Sequence, residues 1–491
     1  MPVSRKPIMA VILIASALVS MSSIALSSSN PLIQSYGSIN YTPKVTVTVN
    51  LDEITGSNNL SLGFMLDWER WVDFMNNPVL RQQAQNAGFK LIRIFDFRPT
   101  TPSLMPLTYW NETTKTGTWN WTNVDTLVQT IFEVGAEPLF CLGYARDNIQ
   151  NYIPPGMAVD RNTSLPYPED YSIYATEWVK HFLSTKMPVR YYQIMNEPYF
   201  YFGWNAANMT KLANYVRLWN AVAKSMRATN PGLRLSQDSI TMRNVFDYWL
   251  KKGENVDFLD FHKYDAGTVD QYNDTVMFGR AETYMFENSG SFYGVVDARR
   301  MWYNARQKWI PIINSESNFN SAWQNGTDPK IQQMGGAVWL ALVLRMAILK
   351  GLNYNVYFEL CSRKSWQQHL GTGWGFGMIN EDNDQPWLPY LVQELIGGNL
   401  STGDNLVRTS CSSEDIRTLG WIHDGKLNVL VVSKTIENRS LTFEGVSGTF
   451  KIRYVDSTVA YDSPGLQSAS VLSSQLFLTH GYTVALLQLS G

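Results

Sequence analysis

Residues 191–200 read YYQIMNEPYF: an apolar run that ends on an amide, a carboxylate and a proline. A second carboxylate, Glu316, ends a similar run, KWIPIINSES, 119 positions after Glu197. Two carboxylates of this kind can divide a displacement between them. One, held protonated, gives its proton to a leaving oxygen; the other, ionised, attacks as the nucleophile. The first needs a raised pKa before attack and must lose it once the neighbouring charge is consumed. Other polar residues sit at comparable positions: Arg93 in IRIFDF, His262 and Tyr264 in FHKY, Asn196 beside Glu197, Asp67 and Trp68 after GFML, and Glu359 in YFEL.

These positions gain meaning from the elements that carry them. Eight short apolar or β-branched runs recur, ending near Leu66, Phe97, Tyr144, Pro198, Ser239, Tyr264, Ser317 and Leu360. Helix-like segments lie between them. NVDTLVQTIFEVGA places Val124, Leu127, Val128 and Ile131 at the i, i+3, i+4, i+7 spacing of one helical face. PVLRQQAQNAG, YATEWVKHFLS, LANYVRLWNAVAKSMRAT and GGAVWLALVLRMAILKG behave similarly. Strand-helix alternation predicts a parallel sheet, and eight repeats predict a closed (β/α)8 barrel. The surplus length falls in loops at 148–170 and 266–291. Beyond residue 400 the pattern becomes short strands with turns between them. Asp424-Gly425 is a strong hairpin signal there. The expected organisation is an N-terminal segment at 1–29, a barrel over 44–399 and an antiparallel β-sandwich over 400–491. KVTVTVNLDE, from Lys44, alternates with period two, so it either pairs with the sandwich or caps the barrel.

In such a barrel the active site lies at the C-terminal ends of the strands. Glu197 and Glu316 then face each other from the fourth and seventh strands. Hydrolysis of a glycosidic bond uses a pair of this kind. The set IRIFDF, IMNEP, FHKY and INSES resembles the retaining β-glycosidases of glycoside hydrolase clan GH-A, with families 5 and 39 the nearest patterns. The resemblance spans about residues 60–400. It implies that Glu197 is the acid/base, Glu316 the nucleophile, Asn196 the partner of the sugar 2-hydroxyl and Arg93 the arginine that orients the nucleophile. It likewise implies that Tyr264 donates to Glu316 and that His262 contacts the sugar. The clan places a tryptophan after the eighth strand as a sugar platform. Trp366 and Trp374 compete for that role, and neither follows the strand directly. Glu359 departs from the pattern and is either a sugar-hydroxyl ligand or a rival carboxylate. Asp67, Trp68, Tyr199, Tyr201 and Trp204 are further candidates for the sugar-binding surface.

Composition narrows the field. A net charge of −2 supplies no basic field for nucleic acid. The 17 Trp and 25 Tyr suit faces that stack on sugar rings. Three Cys allow at most one disulfide, and five scattered His make a structural zinc site a poor fit. Two carboxylates suffice for the reaction, so no metal or organic cofactor is expected. Arg5 and Lys6 precede an apolar stretch from Met9, the pattern of an export signal, with an uncleaved membrane anchor as the alternative. Ten Asn-X-Ser/Thr sequons fit an extracellular or cell-surface protein. The expectation is a secreted enzyme acting on a β-linked oligo- or polysaccharide, foremost an endo-β-1,4-glucanase. The alternatives are mannan or xylan as substrate, exo action, and a surface protein that binds glycans without turnover.

Overall fold

The computed structural model describes residues 42–67, 70–95, 103–145, 149–237, 240–322, 328–362, 375–460 and 464–490. Eight parallel strands follow one another around a barrel: Ser61–Asp67, Leu91–Phe95, Glu137–Cys141, Tyr191–Gln193, Arg234–Ser236, Leu259–Ala266, Ile312–Asn320 and Tyr354–Tyr357. The eighth pairs with the first, so the sheet curls back on itself. Between the fifth and sixth strands the seam is tied by Asp257 N–H to the Leu235 carbonyl at 2.8 Å and by the Ser236 hydroxyl to the Phe258 carbonyl at 2.5 Å. All eight apolar runs form barrel strands, because each is buried on both faces by the interior and the helices outside.

The helices form where their apolar faces meet the sheet. Thr122–Glu133 buries Val124, Leu127, Val128 and Ile131. Met334–Leu349 is apolar on nearly every side, because the barrel covers one flank and the sandwich the other. Its Arg345 reaches across to the Thr418 carbonyl at 2.9 Å. No helix among the described residues is long and apolar enough to cross a membrane. The stretch 266–291, expected as a loop, contains the helix Asp274–Thr283. Asn273 caps it, its side chain accepting from Val276 N–H at 3.0 Å. From that helix, Glu282 meets Arg417 at 2.6 Å and Lys434 at 3.2 Å on the sandwich. The loop at 148–170 carries a small hairpin, Val159–Asp160 with Leu165–Pro166.

The second sheet has nine strands and folds over on itself. Thr449–Asp456, Thr483–Ser490 and Lys426–Ser433 lie toward one end; Lys44–Ser57, Arg439–Glu444 and Phe477–Thr479 lie toward the other. Phe443 and Phe450 meet across the interior, ring centroids 5.0 Å apart. The hairpin at Asp424-Gly425 has positive φ at both residues, 48° and 73°, as a type I′ turn requires. The expected barrel boundary at residue 44 is corrected here. Lys44–Ser57 pairs with Asn405–Cys411 and Arg439–Glu444, because Val45, Val47 and Val49 bury one face of the strand in the sandwich core. The barrel begins at Ser61. Cys141, Cys361 and Cys411 form no disulfide with one another.

Candidate active site

The barrel brings Arg93, Asn196, Glu197, His262, Tyr264 and Glu316 together at the C-terminal ends of its strands. Arg93 emerges from the second strand with no exposed surface. Its guanidinium donates to Gln193 Oε1 at 2.7 Å, to Glu316 Oε2 at 2.7 Å, to Asn196 Oδ1 at 2.6 Å and to Met65 Sδ at 3.1 Å. This single cation therefore fixes the fourth and seventh strands relative to each other. Glu316 also accepts from the Tyr264 hydroxyl at 2.5 Å. A guanidinium and a phenol aimed at one carboxylate fix its orientation.

Glu197 is held differently. Its φ is +40°, in the left-handed region that costs a non-glycine residue roughly 1–3 kcal/mol. The regular strand ends at Gln193, Asn196 still bridges to Tyr144, and the chain turns off at Glu197. Pro198 then opens the short helix Tyr199–Phe202. The turn presents the carboxylate to three donors: Tyr199 Oη at 2.6 Å, Tyr144 Oη at 2.9 Å and His262 Nδ1 at 3.1 Å. The same Nδ1 stands 3.7 Å from Glu316 Oε2. One atom each from Glu197, His262 and Glu316 all lie within 4.8 Å of one another. Among the described residues this is the group that converges closely enough to hold a cation. Arg93 already occupies one Glu316 oxygen there.

The expected raised pKa of Glu197 is not what the free site provides. Burial pushes the carboxyl up, but the hydrogen bond and charge of His262, with the Tyr199 and Tyr144 hydroxyls, outweigh it and hold Glu197 below its usual range. Burial and the Glu316 charge raise Tyr264 far above an ordinary phenol, so it remains a donor. Glu359 lies beyond the eighth strand and is 5% exposed. Burial lifts it to about 8; Arg70 opposes the rise while Glu381 and Glu316 add to it. Arg70 Nε lies 3.6 Å from Glu359 and 3.1 Å from Glu381. A carboxyl held in its neutral form donates a hydrogen bond where an ionised one only accepts.

Asp67 is buried at the end of the first strand, close enough to Arg70 for its charge to act there. Trp68, Trp366 and Trp374 lie outside the described residues. Tyr201 is buried, its hydroxyl bonded to the Thr163 carbonyl and Lys211 over its ring at 5.0 Å, so it packs the loop. Tyr199 and Trp204 instead line a cavity of 240 Å³ beside Glu197. Sequence reasoning missed Tyr144, Gln193, Arg70 and Glu381. Tyr144 sits just past the third strand, where the strand-end rule could have found it. Gln193 is a fully buried amide inside a strand that bonds Arg93, Asp260 and Ser315 together.

The class that this architecture defines is a (β/α)8 barrel with an appended β-sandwich. No protein-family model matches the chain, and no curated protein matches it. Solved structures do. A monomeric β-xylosidase from Caulobacter crescentus CB15 aligns at 14% identity and TM-score 0.63, over 91% of this chain and 99% of that one. A family 39 glycoside hydrolase from Xanthomonas axonopodis pv. citri aligns at 15% and 0.63, over 93% and 99%. A family 51 α-L-arabinofuranosidase from Thermotoga petrophila RKU-1 aligns at 14% and 0.63, over 91% and 100%. The chain shares the fold of these glycoside hydrolases over nearly its whole described length.

Proposed function

We propose that the chain is a retaining glycosidase acting on β-linked oligo- or polysaccharides. The observation that carries this reading is the approach of the Glu197 and Glu316 carboxylates to within 4.8 Å. Retaining enzymes hold the two groups ~5–5.5 Å apart, whereas inverting enzymes leave ~6.5–9.5 Å for a water. Glu316 attacks the anomeric carbon as the glycosidic C–O bond breaks. Glu197 gives its proton to the leaving oxygen. Glu197 then takes a proton from water, and that water displaces Glu316 and restores it. Arg93 and Tyr264 orient the nucleophile. Asn196, its Oδ1 held by Arg93, is positioned for the sugar 2-hydroxyl.

Proton NMR of the first-formed anomer from an aryl β-glycoside tests the stereochemistry, and inverted product would refute the mechanism. Glu316→Gln should lose at least ~10⁴-fold in kcat; unchanged turnover would remove Glu316 from the chemistry. Within this reading, internal cleavage of β-1,4-glucan is the first specificity to assay. Exo action is the second, favoured by the β-xylosidase and arabinofuranosidase among the similar structures. Product-length analysis on glucan, mannan and xylan separates them. We also propose export. Of the eight sequon asparagines that are described, six are exposed and two half-buried, which supports that reading.

A further inference from the structure

The cavity beside Glu197 is lined by Glu197, His262 and Tyr264, and neither Glu316 nor Arg93 reaches it. It therefore opens on the acid/base side of the bond to be broken, where a leaving group stands. At 240 Å³ it has room for about one sugar ring. Its wall is a chain of aromatic rings: Tyr199 against Trp204 at 5.4 Å, Trp204 against Phe292 at 5.4 Å and Phe292 against Tyr284 at 5.8 Å. Trp204 is 51% exposed, which suits a stacking face and not a core residue.

Beside His262, this wall carries a guanidinium. Arg280 donates from Nε to the Asp265 carbonyl at 2.6 Å, and its guanidinium lies 4.1 Å from the Tyr284 ring centroid and 5.1 Å from that of Tyr272. Those contacts fix the fork and leave its charge unmatched, for Arg280 makes no ion pair among the described residues. The nearby Asp265 carboxylate is already committed: one oxygen to Lys263 at 2.9 Å, the other to Trp339 Nε1 at 2.5 Å. A rigid, aromatic-backed guanidinium without a carboxylate of its own is built for a planar anion bound through two N–H donors.

We propose that this cavity is the leaving-group subsite and that Arg280 makes it selective for a leaving group bearing a carboxylate, either a uronic acid or an aromatic acid. The assignment of sides rests on the glycosidase reading; the carboxylate preference does not. An anion here also favours the protonated form of Glu197 next to it, the form the first step consumes.

The test is binding of small carboxylates and their neutral amides to the intact wild-type protein, followed by ligand-observed NMR at low ionic strength. D-glucuronate is compared with D-glucuronamide for the sugar source, and benzoate with benzamide for the aromatic one. At least one carboxylate should bind about tenfold more tightly than its amide. Arg280→Gln should abolish that preference, with an unchanged thermal midpoint showing that the variant is folded. Arg280→Lys should keep part of it. Equal binding of acid and amide in both pairs, or a preference that survives Arg280→Gln, overturns the proposal. Aryl β-glycoside hydrolysis is read separately. A protein that prefers the acids but turns over no glycoside refutes the glycosidase reading alone.

Discussion

Glu359 offers a perturbation whose size follows from its surroundings. Its carboxyl is raised from an ordinary 4.5 to about 8, chiefly by burial. The folded state therefore binds a proton that the unfolded chain has released across that window. Stability gained from the neutral form is fully present below 4.5 and is lost as pH rises through about 8. Each pH unit withdraws ~1.4 kcal/mol, to a ceiling of about 5 kcal/mol. Arg70 and Glu381 share the site and bring the realised figure below that ceiling. Glu359→Gln keeps the shape of the protonated group and cannot ionise. Thermal unfolding by circular dichroism, with both proteins run from pH 5 to pH 8.5, isolates this residue because other titrating groups cancel in the comparison. The two should unfold together near pH 5. The variant should unfold several degrees higher at pH 8.5. A gap that does not change with pH, or a variant less stable at pH 8.5, would refute the argument.

Three further outcomes follow from the same contacts. Tyr264→Phe removes the hydroxyl that donates to Glu316; a bond to a charged group is worth ~1.5–3 kcal/mol, so a loss of that size from the transition state lowers kcat about 10- to 150-fold in steady-state assays, and the same loss from the resting fold lowers the thermal midpoint. Arg93→Met leaves Glu316 as a buried carboxylate without its cation, a change that costs ~3–5 kcal/mol; both activity and thermal midpoint should drop. His262→Gln removes the main influence holding Glu197 low, so burial prevails and Glu197 stays protonated to higher pH. The alkaline limb of the kcat/KM profile should then move up; a shift to lower pH would refute the assigned cause.

The strands were legible because each is an apolar run between polar turns, a pattern that burial on both faces enforces. The two carboxylates were legible because barrel geometry brings strand ends together whatever their separation in the chain. Lys44–Ser57 had a clear period-two alternation, but its partners come from the far end of the sequence and no local pattern names them. The helix Asp274–Thr283 buries only Met277, Phe278 and Ala281, which leaves its apolar periodicity faint; Asn273 as a cap was the usable signal. Gln193 read as one more strand residue. Its importance comes from Arg93, Asp260 and Ser315 converging on it, which is a property of the closed barrel. Arg70 and Glu381 escaped for the same reason: each matters only through Glu359.

On the proposed retaining mechanism, the low position of Glu197 bears on how the site would work as a cycle. A general acid must arrive protonated, yet His262 favours its ionised form. The two requirements meet if the imidazole and the carboxylate hold one proton between them across 3.1 Å. The ion pair is then the resting form; as a leaving oxygen enters beside Glu197 and expels water, the proton crosses from the imidazole to the carboxylate and from there to the leaving oxygen. Once Glu316 is bonded to the sugar, its negative charge no longer opposes ionisation of Glu197. His262 now favours the form that the second step needs, a base that accepts a proton from water. On this reasoning His262 assists deglycosylation more than glycosylation. Its removal should slow the second half-reaction most, and the alkaline shift expected for His262→Gln is the equilibrium side of that same asymmetry.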